Sequence, residues 1–450
     1  MFTPHTEEDR KLMLSAIGKQ DVADLFKDIP QEFRFPKLDI PSGLSEMEAF
    51  EQLQELSQSN DACDQMICFL GAGMYDHYTP AAVDSILRRG EFFTAYTPYQ
   101  PEISQGTLQA VFEYQSLIAR LTGLEVSNAS HYDGATAAAE ACLTAYYNFQ
   151  EKRKKFILSH ALHPHYRAVI HTYLSGFDGI KIEGEKTASD APADTDTLLS
   201  LIDDETALIF LQYPDFFGRI YDFTSLIKKA HESGCLVVVA VNPMALGLLK
   251  SPAEFGADII VGDGQPLGLP MSFGGPSLGI FATRKELIRK VSGRIVGETK
   301  DSDGKRGYVL TLTAREQHIR RERATSNICT NQALMALAVT VYLSLVGKQG
   351  LRKISELCYQ KAHYASNRIN EISGFSIENS IPFFNEFVVN CPVTITKINE
   401  YLLEEGIIGG LDLSQVYPEY KNKMLVAVTE KNSKEMIDLF CEKLQEAANE

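Results

Sequence analysis

Two stretches of the chain are continuous apolar runs but for Gln212, residues 207–213 (ALIFLQY) and 235–241 (CLVVVAV). A strand with one face in water alternates apolar and polar side chains, whereas an unbroken run needs cover on both faces. These runs therefore predict central strands of a mostly parallel sheet clothed by helices. SLIKKAHESG at 225–234 fits the crossover helix between them and closes on a glycine C-cap. Shorter runs at 155–158 and 180–182 supply flanking strands. Ligands of such sheets bind beyond the carboxyl ends of the strands, where Pro214, Asp215, Asn242, Pro243 and residues 262–265 stand.

The segment 257–283, ADIIVGDGQPLGLPMSFGGPSLGIFAT, predicts a strand at 259–261, a loop rich in glycine and proline, and a second strand at 278–282. Gly274, Gly275 and Pro276 allow backbone to pass close to a bound group, the usual construction of a catalytic loop. Yet the loop holds no lysine, histidine or cysteine. Asp263 has no basic neighbour in sequence, and Gln265 stands where a reactive group is expected.

Composition narrows the classes. A chain of 450 residues buries one large core and a smaller one. Its net charge of −16 disfavours nucleic acid and anionic membrane as partners. No apolar run approaches the roughly 20 residues of a membrane span, and the N-terminus lacks the pattern of a signal peptide. The 8 cysteines form no CxxC pair, so reduced thiols in the cytoplasm are expected, with no metal site.

The flanks divide the chain further. Thr6 before three acids, and Ser45 with Glu48 ahead of Met47, Phe50, Leu53 and Leu56, mark helix starts, while Pro30, Pro36 and Pro41 keep their segment extended. The loop-rich stretch 68–107 concentrates Tyr75, His77, Tyr78, Tyr96, Tyr99 and Gln100, which suits a substrate-lining surface or a subunit interface equally. Taken singly, His77 reads as a hydrogen-bonded structural histidine. Gly134 opens an alanine-rich helix whose free amides suit a phosphate or a plain capped helix, with Asp133 opposing an anion. Residues 291–330 gather Arg294, Arg306, Arg315, Arg320, Arg321 and Arg323, either an anion site or a solvated helix face. Helices at 331–346 and 352–372, and then alternating strands and helices, make a small C-terminal α/β domain.

Four segments carry a far more specific likeness: FLGAGMYDHYTP from Phe69, TAYTPYQPEISQGTLQ from Thr94, GRIVGETKDSDGKRGYVLTLTAREQHIRRERATSNICTNQ from Gly293, and GGLDLS at 409–414. Together they resemble the P protein of the glycine cleavage system, and within that family the subunit forming its N-terminal half in two-subunit bacterial enzymes. The resemblance implies the aminotransferase-like fold type I of pyridoxal-phosphate (PLP) enzymes. It implies an N-terminal helical arm at 1–67, a large domain with a parallel-rich sheet at 68–330 and a small α/β domain at 331–450. In such enzymes a lysine near a strand end forms the Schiff base with PLP, and an aspartate keeps the pyridine nitrogen protonated. Aligned through Pro270 and Pro276, the lysine position falls on Gln265 and the aspartate position on Asn242. Glutamine forms no imine and asparagine carries no charge. The resemblance thus implies no catalytic residue in this chain alone and PLP on a partner, glycine dehydrogenase subunit 2.

By the same likeness Tyr96, Thr97, Tyr99 and Gln100 line the partner's site, and Thr325, Ser326, Asn327 and Arg323 reach the phosphate of its PLP. The implied activity is decarboxylation of glycine, with transfer of the aminomethyl group to the lipoyl arm of H protein. The implied assembly is α2β2, working with the T and L proteins. Two other readings stay open: a self-sufficient PLP-dependent lyase or aminotransferase, and a non-catalytic scaffold or regulatory homologue.

Overall fold

The computed structural model describes residues 4–34, 36–185, 195–377 and 381–449. The chain forms two compact units, Met1–Ala62 and Cys63–Glu450. In the first, helices α1 (Glu7–Ala16) and α2 (Glu46–Gln58) each open on a capping box, Thr6 with Asp9 and Ser45 with Glu48. Pro30 does not hold its segment fully extended, because Gln31–Phe33 close a single 3-10 turn. The apolar stripe of α2 forms as expected, and Met47, Phe50, Leu53 and Leu56 along it are all exposed.

The second unit is built on seven strands: β1 (Val126–Ser127), β2 (Lys155–Leu158), β3 (Lys181–Glu183), β4 (Thr206–Tyr213), β5 (Leu236–Val241), β6 (Ile259–Asp263) and β7 (Gly279–Thr283). They lie in the order β1-β7-β6-β5-β4-β2-β3. The five from β6 to β3 are parallel, β7 runs antiparallel to β6, and β1, antiparallel to β7, runs in the direction of the five. Because side chains alternate across a strand, the apolar runs feed two cores. Ile209, Leu211, Val237, Val239 and Ile260 pack with Tyr114 and Ile118 of helix α3 (Gln105–Thr122). Leu208, Phe210, Val238, Ile259 and Val261 pack instead with the alanines of helix α4 (Gly134–Asn148). A one-residue slip of either run would exchange the two sets.

A hairpin follows, β8 (Ile295–Lys300) and β9 (Arg306–Thr311), inside the stretch whose sequence showed only a basic cluster. The two helices expected after it are present, set end to end as α5 (Ala333–Asn370) across a kink at Gly347, where φ is +57°. Ala336 to Leu343 of α5 enter the first sheet core, and Ala362 to Ile369 enter a separate C-terminal core. That second core packs under an antiparallel sheet of β10 (Ser376–Ile377), β11 (Glu386–Asn390), β12 (Leu411–Asp412) and β13 (Lys423–Ala427), ordered β10-β11-β13-β12. Ile67–Cys68 pair with Ile407–Ile408 beside it. By length and composition α5 is long and apolar enough to cross a membrane, and its apolar residues line both cores.

Candidate functional site

At the end of β6 the chain turns into the loop holding Gln265, which is 1% exposed. Its amide oxygen accepts from Tyr75 N at 2.9 Å, and its amide nitrogen donates to Tyr75 O at 2.8 Å and Leu269 O at 2.9 Å. The carboxamide thus pairs with a peptide group as a neighbouring strand would, and both of its N–H bonds are used. Lysine, with three donors and no acceptor, cannot reproduce this pattern. Asn242, at the end of β5, accepts from Met244 N at 3.0 Å and so starts the following turn.

The N-terminus of α4 is already supplied with anions from the chain itself. Asp133 caps it through Thr136 N at 2.7 Å, and Asp263 accepts from Gly134 N at 3.0 Å and from Gln265 N at 2.9 Å. Of the two readings of Gly134, the capped helix is the one that forms. A Cβ at Gly134 would overlap the Tyr166 hydroxyl, so glycine is required there by close approach. Burial raises the Asp263 carboxyl above its usual range, in keeping with the lack of a cationic partner.

The facing wall is equally tied. His163 donates from Nε2 to Ala72 O at 2.8 Å while its Nδ1 accepts from His165 N at 3.1 Å, which defines a neutral ring, and burial lowers its pKa to about 4. Glu386 of β11 accepts from Ala72 N at 2.7 Å and the Tyr75 hydroxyl at 2.7 Å, and burial pushes its pKa to about 7. Gly73, Tyr75, His163, Tyr166, Asn242 and Asp263 leave about 30 Å³ between them, room for a water and an order of magnitude below a ligand pocket. The residues present do not fit PLP: there is no amine, no charge at Asn242, too little space, and a carboxylate where a phosphate would lie.

The other named residues lie on the outer rim. Tyr96 is 90% and Tyr99 53% exposed; Gln100, Arg323 and Asn327 are exposed, and Thr97, Thr325 and Ser326 are half-buried. Among the described residues Arg323 pairs with its exposed neighbour Glu322, at 3.8 Å. Ser326 donates to Glu140 Oε1 at 2.6 Å, and Thr325 and Asn327 with Tyr132, Tyr147 and Tyr173 line a cavity of about 300 Å³ over that carboxyl. Glu140 itself is buried, which raises its pKa. The two rim segments meet at Arg294, a residue sequence reasoning left among the basic cluster. It is 4% exposed and donates to Thr330 Oγ1 at 2.7 Å, Cys329 O at 3.1 Å and the Tyr99 hydroxyl at 3.5 Å. Its guanidinium lies 5.5 Å from the Tyr99 ring centre. Tyr96 and Arg323 are not drawn into this junction. Glu140 also escaped notice, although a lone acid among buried alanines was a visible signal.

His77 is held by Glu430, Nδ1 to Oε2 at 2.6 Å, and the Cys358 thiol donates to the same oxygen at 3.5 Å. The three side chains offer ligand-type atoms within 4.8 Å of one another, and His77 and Cys358 each bond Glu430. The sequence offers no spacing that would bring them together.

The sheet order, with β7 alone reversed beside the edge strand β1 and a small C-terminal sheet joined through α5, defines a PLP-enzyme fold of type I. Glutamate decarboxylase of Lactobacillus brevis shares it at 13% identity, with a TM-score of 0.69 over 96% of this chain and 97% of that one. A sphingosine-1-phosphate lyase of Burkholderia pseudomallei does so at 16% identity, with a TM-score of 0.66 over 94% and 95%. The chain belongs to the glycine cleavage system P-protein family, whose model matches residues 1–444. A crystal structure of glycine decarboxylase (P-protein) in inhibitor-bound form superposes with a TM-score of 0.87 and 42% identity, covering 99% of this chain and 100% of that one. The probable glycine dehydrogenase (decarboxylating) subunit 1 of Thermomicrobium roseum is 52% identical over 449 residues, 99% of each chain. That of Desulforamulus reducens is 51% identical over 444 residues, 98% of this chain and 99% of the relative.

Proposed function

We propose that the chain is the glycine decarboxylase subunit that carries no PLP and completes the active site of a PLP-bearing partner, subunit 2. Glycine loses its carboxylate on the partner, and the aminomethyl group passes to the lipoyl arm of H protein. The assembly is a cytoplasmic α2β2 complex that supplies the T and L proteins. One observation carries this reading: the carboxamide of Gln265 is fully engaged by Tyr75 and Leu269 in a space of about 30 Å³.

The chain's own contribution is positional. Arg294 fixes Tyr99 against the segment of residues 329–331. The exposed Tyr96, Gln100, Asn327 and Arg323 then remain available to a second subunit, together with Thr97, Thr325 and Ser326. Tyrosine edges and an arginine suit a water-poor interface, and the hydroxyl and amide groups of Thr325, Ser326 and Asn327 suit the phosphate of the partner's PLP.

The test is to purify the chain alone, subunit 2 alone and the co-expressed pair, and to treat each with borohydride. The visible band of a PLP imine is expected in subunit 2 and in the pair, with the reduced label on subunit 2. Exchange of bicarbonate with glycine in the presence of H protein is expected only in the pair. A labelled lysine in this chain sinks the reading in favour of a self-sufficient PLP enzyme. Full exchange by subunit 2 alone favours a scaffold.

A further inference from the structure

A second cavity, about 720 Å³, opens beside the break in α5. Its walls are aliphatic: Leu117 and Leu121 of α3, Leu246 and Leu248 of the turn after β5, and Leu343 and Leu351 of α5. The charged groups lining it are Arg120, Lys348 and Arg352, all exposed cations, with no carboxylate among them. Arg352 is paired with Glu356 at 2.8 Å. Arg120 and Lys348 have no hydrogen bond or ion pair among the described residues. In a chain of net charge −16, this leucine-walled cavity carries cations and no carboxylate along its lining.

The floor is firmly held. Ser355 of α5 donates to Met244 O at 2.6 Å, and a Cβ at Gly247 would crowd Leu351 O, so the turn after β5 sits tight against the helix. The volume falls within the range of small-molecule sites. A small anion would satisfy the cations and leave the leucines wet; an uncharged hydrocarbon would do the reverse. No aromatic side chain lines the walls to stack a base or a ring. We infer that this cavity binds an amphipathic carboxylate of the fatty-acid type, its aliphatic chain among the leucines and its carboxylate between Arg120 and Lys348.

The chain contains no tryptophan, so Leu248→Trp sets a single fluorophore on the wall. Sodium octanoate, sodium hexanoate and octan-1-ol are titrated into the full chain. The expected result is a saturable emission change, with octanoate tighter than hexanoate by roughly fifteenfold, from about fourfold for each of two buried methylenes. Octanoate should also bind about tenfold more tightly than the alcohol. In the same background Arg120→Gln with Lys348→Gln removes that advantage and leaves octan-1-ol unchanged. Calorimetry of octanoate on the tryptophan-free chain, with and without the two exposed substitutions, gives the same comparison should Leu248→Trp impair folding. Absence of saturable binding, equal affinity for acid and alcohol, or indifference to the double substitution overturns the inference. So does loss of octanoate binding when subunit 2 is added, which would assign the cavity to a protein segment.

Discussion

The inner loop around Gln265 and the outer rim around Tyr96 use the same kinds of residue to opposite ends. Inside, Gln265, Asn242, Asp263, His163 and Glu386 all face polar partners within the chain, and the space between them is about that of a water. Outside, Tyr96, Gln100 and Asn327 carry exposed side chains around a single buried anchor, Arg294. A catalytic site keeps some polar capacity unsatisfied for its ligand. By that measure the interior is closed and the rim is open.

The strongest attempt to break this contrast is Gln265→Lys. Tyr75 N loses its acceptor and a cation enters a 1% exposed position; urea unfolding of the isolated chain should lose about 3–5 kcal/mol. Adding Asn242→Asp should still give no imine absorbance. A stable double variant that gains the band would show the interior to be open after all.

Arg294→Ala tests the anchor. It removes the hydrogen bonds to Thr330, Cys329 and Tyr99 and leaves Glu316, 3.9 Å away and also buried, without its cation. The expected loss in chain stability is about 3 kcal/mol, with exchange activity of the pair falling as well.

Glu386→Gln sharpens the interior by pH. The folded carboxyl has its pKa raised to about 7 by burial, so the folded state holds the proton more tightly than the unfolded state. Its favourable contribution is full below the unfolded value near 4.3, declines as pH rises, and is gone above about 7. Unfolding free energy should therefore drop by up to about 3 kcal/mol across that window. In the glutamine variant, whose carboxamide keeps an acceptor for Ala72 N, this component of the slope should vanish.

The smallest stability effect belongs to Tyr96→Ala. At 90% exposure it should change unfolding free energy by less than about 0.5 kcal/mol. Exchange in the reconstituted pair should nevertheless fall roughly tenfold, the scale of a 1.4 kcal/mol contact. Unchanged exchange would close the rim as firmly as the interior.

What was legible in the chain follows the same division. The runs at 207–213 and 235–241 announced buried parallel strands because burial on both faces leaves its mark on every residue. The hairpin Ile295–Thr311 was missed although its turn carries Asp303-Gly304, a hairpin signal, because its outer half is exposed and polar and shows no apolar alternation. The two helices within Ala333–Asn370 were legible because Gly347 punctuates them, and the backbone kinks at that glycine. At the site, the absence of lysine at Gln265 could be seen, but what the glutamine does instead could not: its partners are backbone groups of Tyr75 and Leu269, which have no side-chain signature. Arg294 was hidden for a related reason, as one arginine among six whose burial only the tertiary structure reveals.

The closed interior also sets a timetable for synthesis. Gln265 joins Tyr75 across 190 residues, and Glu386 joins Ala72 across 314. At about 5–20 residues per second, Glu386 leaves the ribosome roughly 15–60 s after Ala72. Until then the 72–75 loop lacks its carboxylate and stays unlatched on a nascent chain whose central strands have already emerged. Chaperone engagement and proteolytic nicking during translation should accordingly concentrate near residues 69–78, and should cease once β11 is in place.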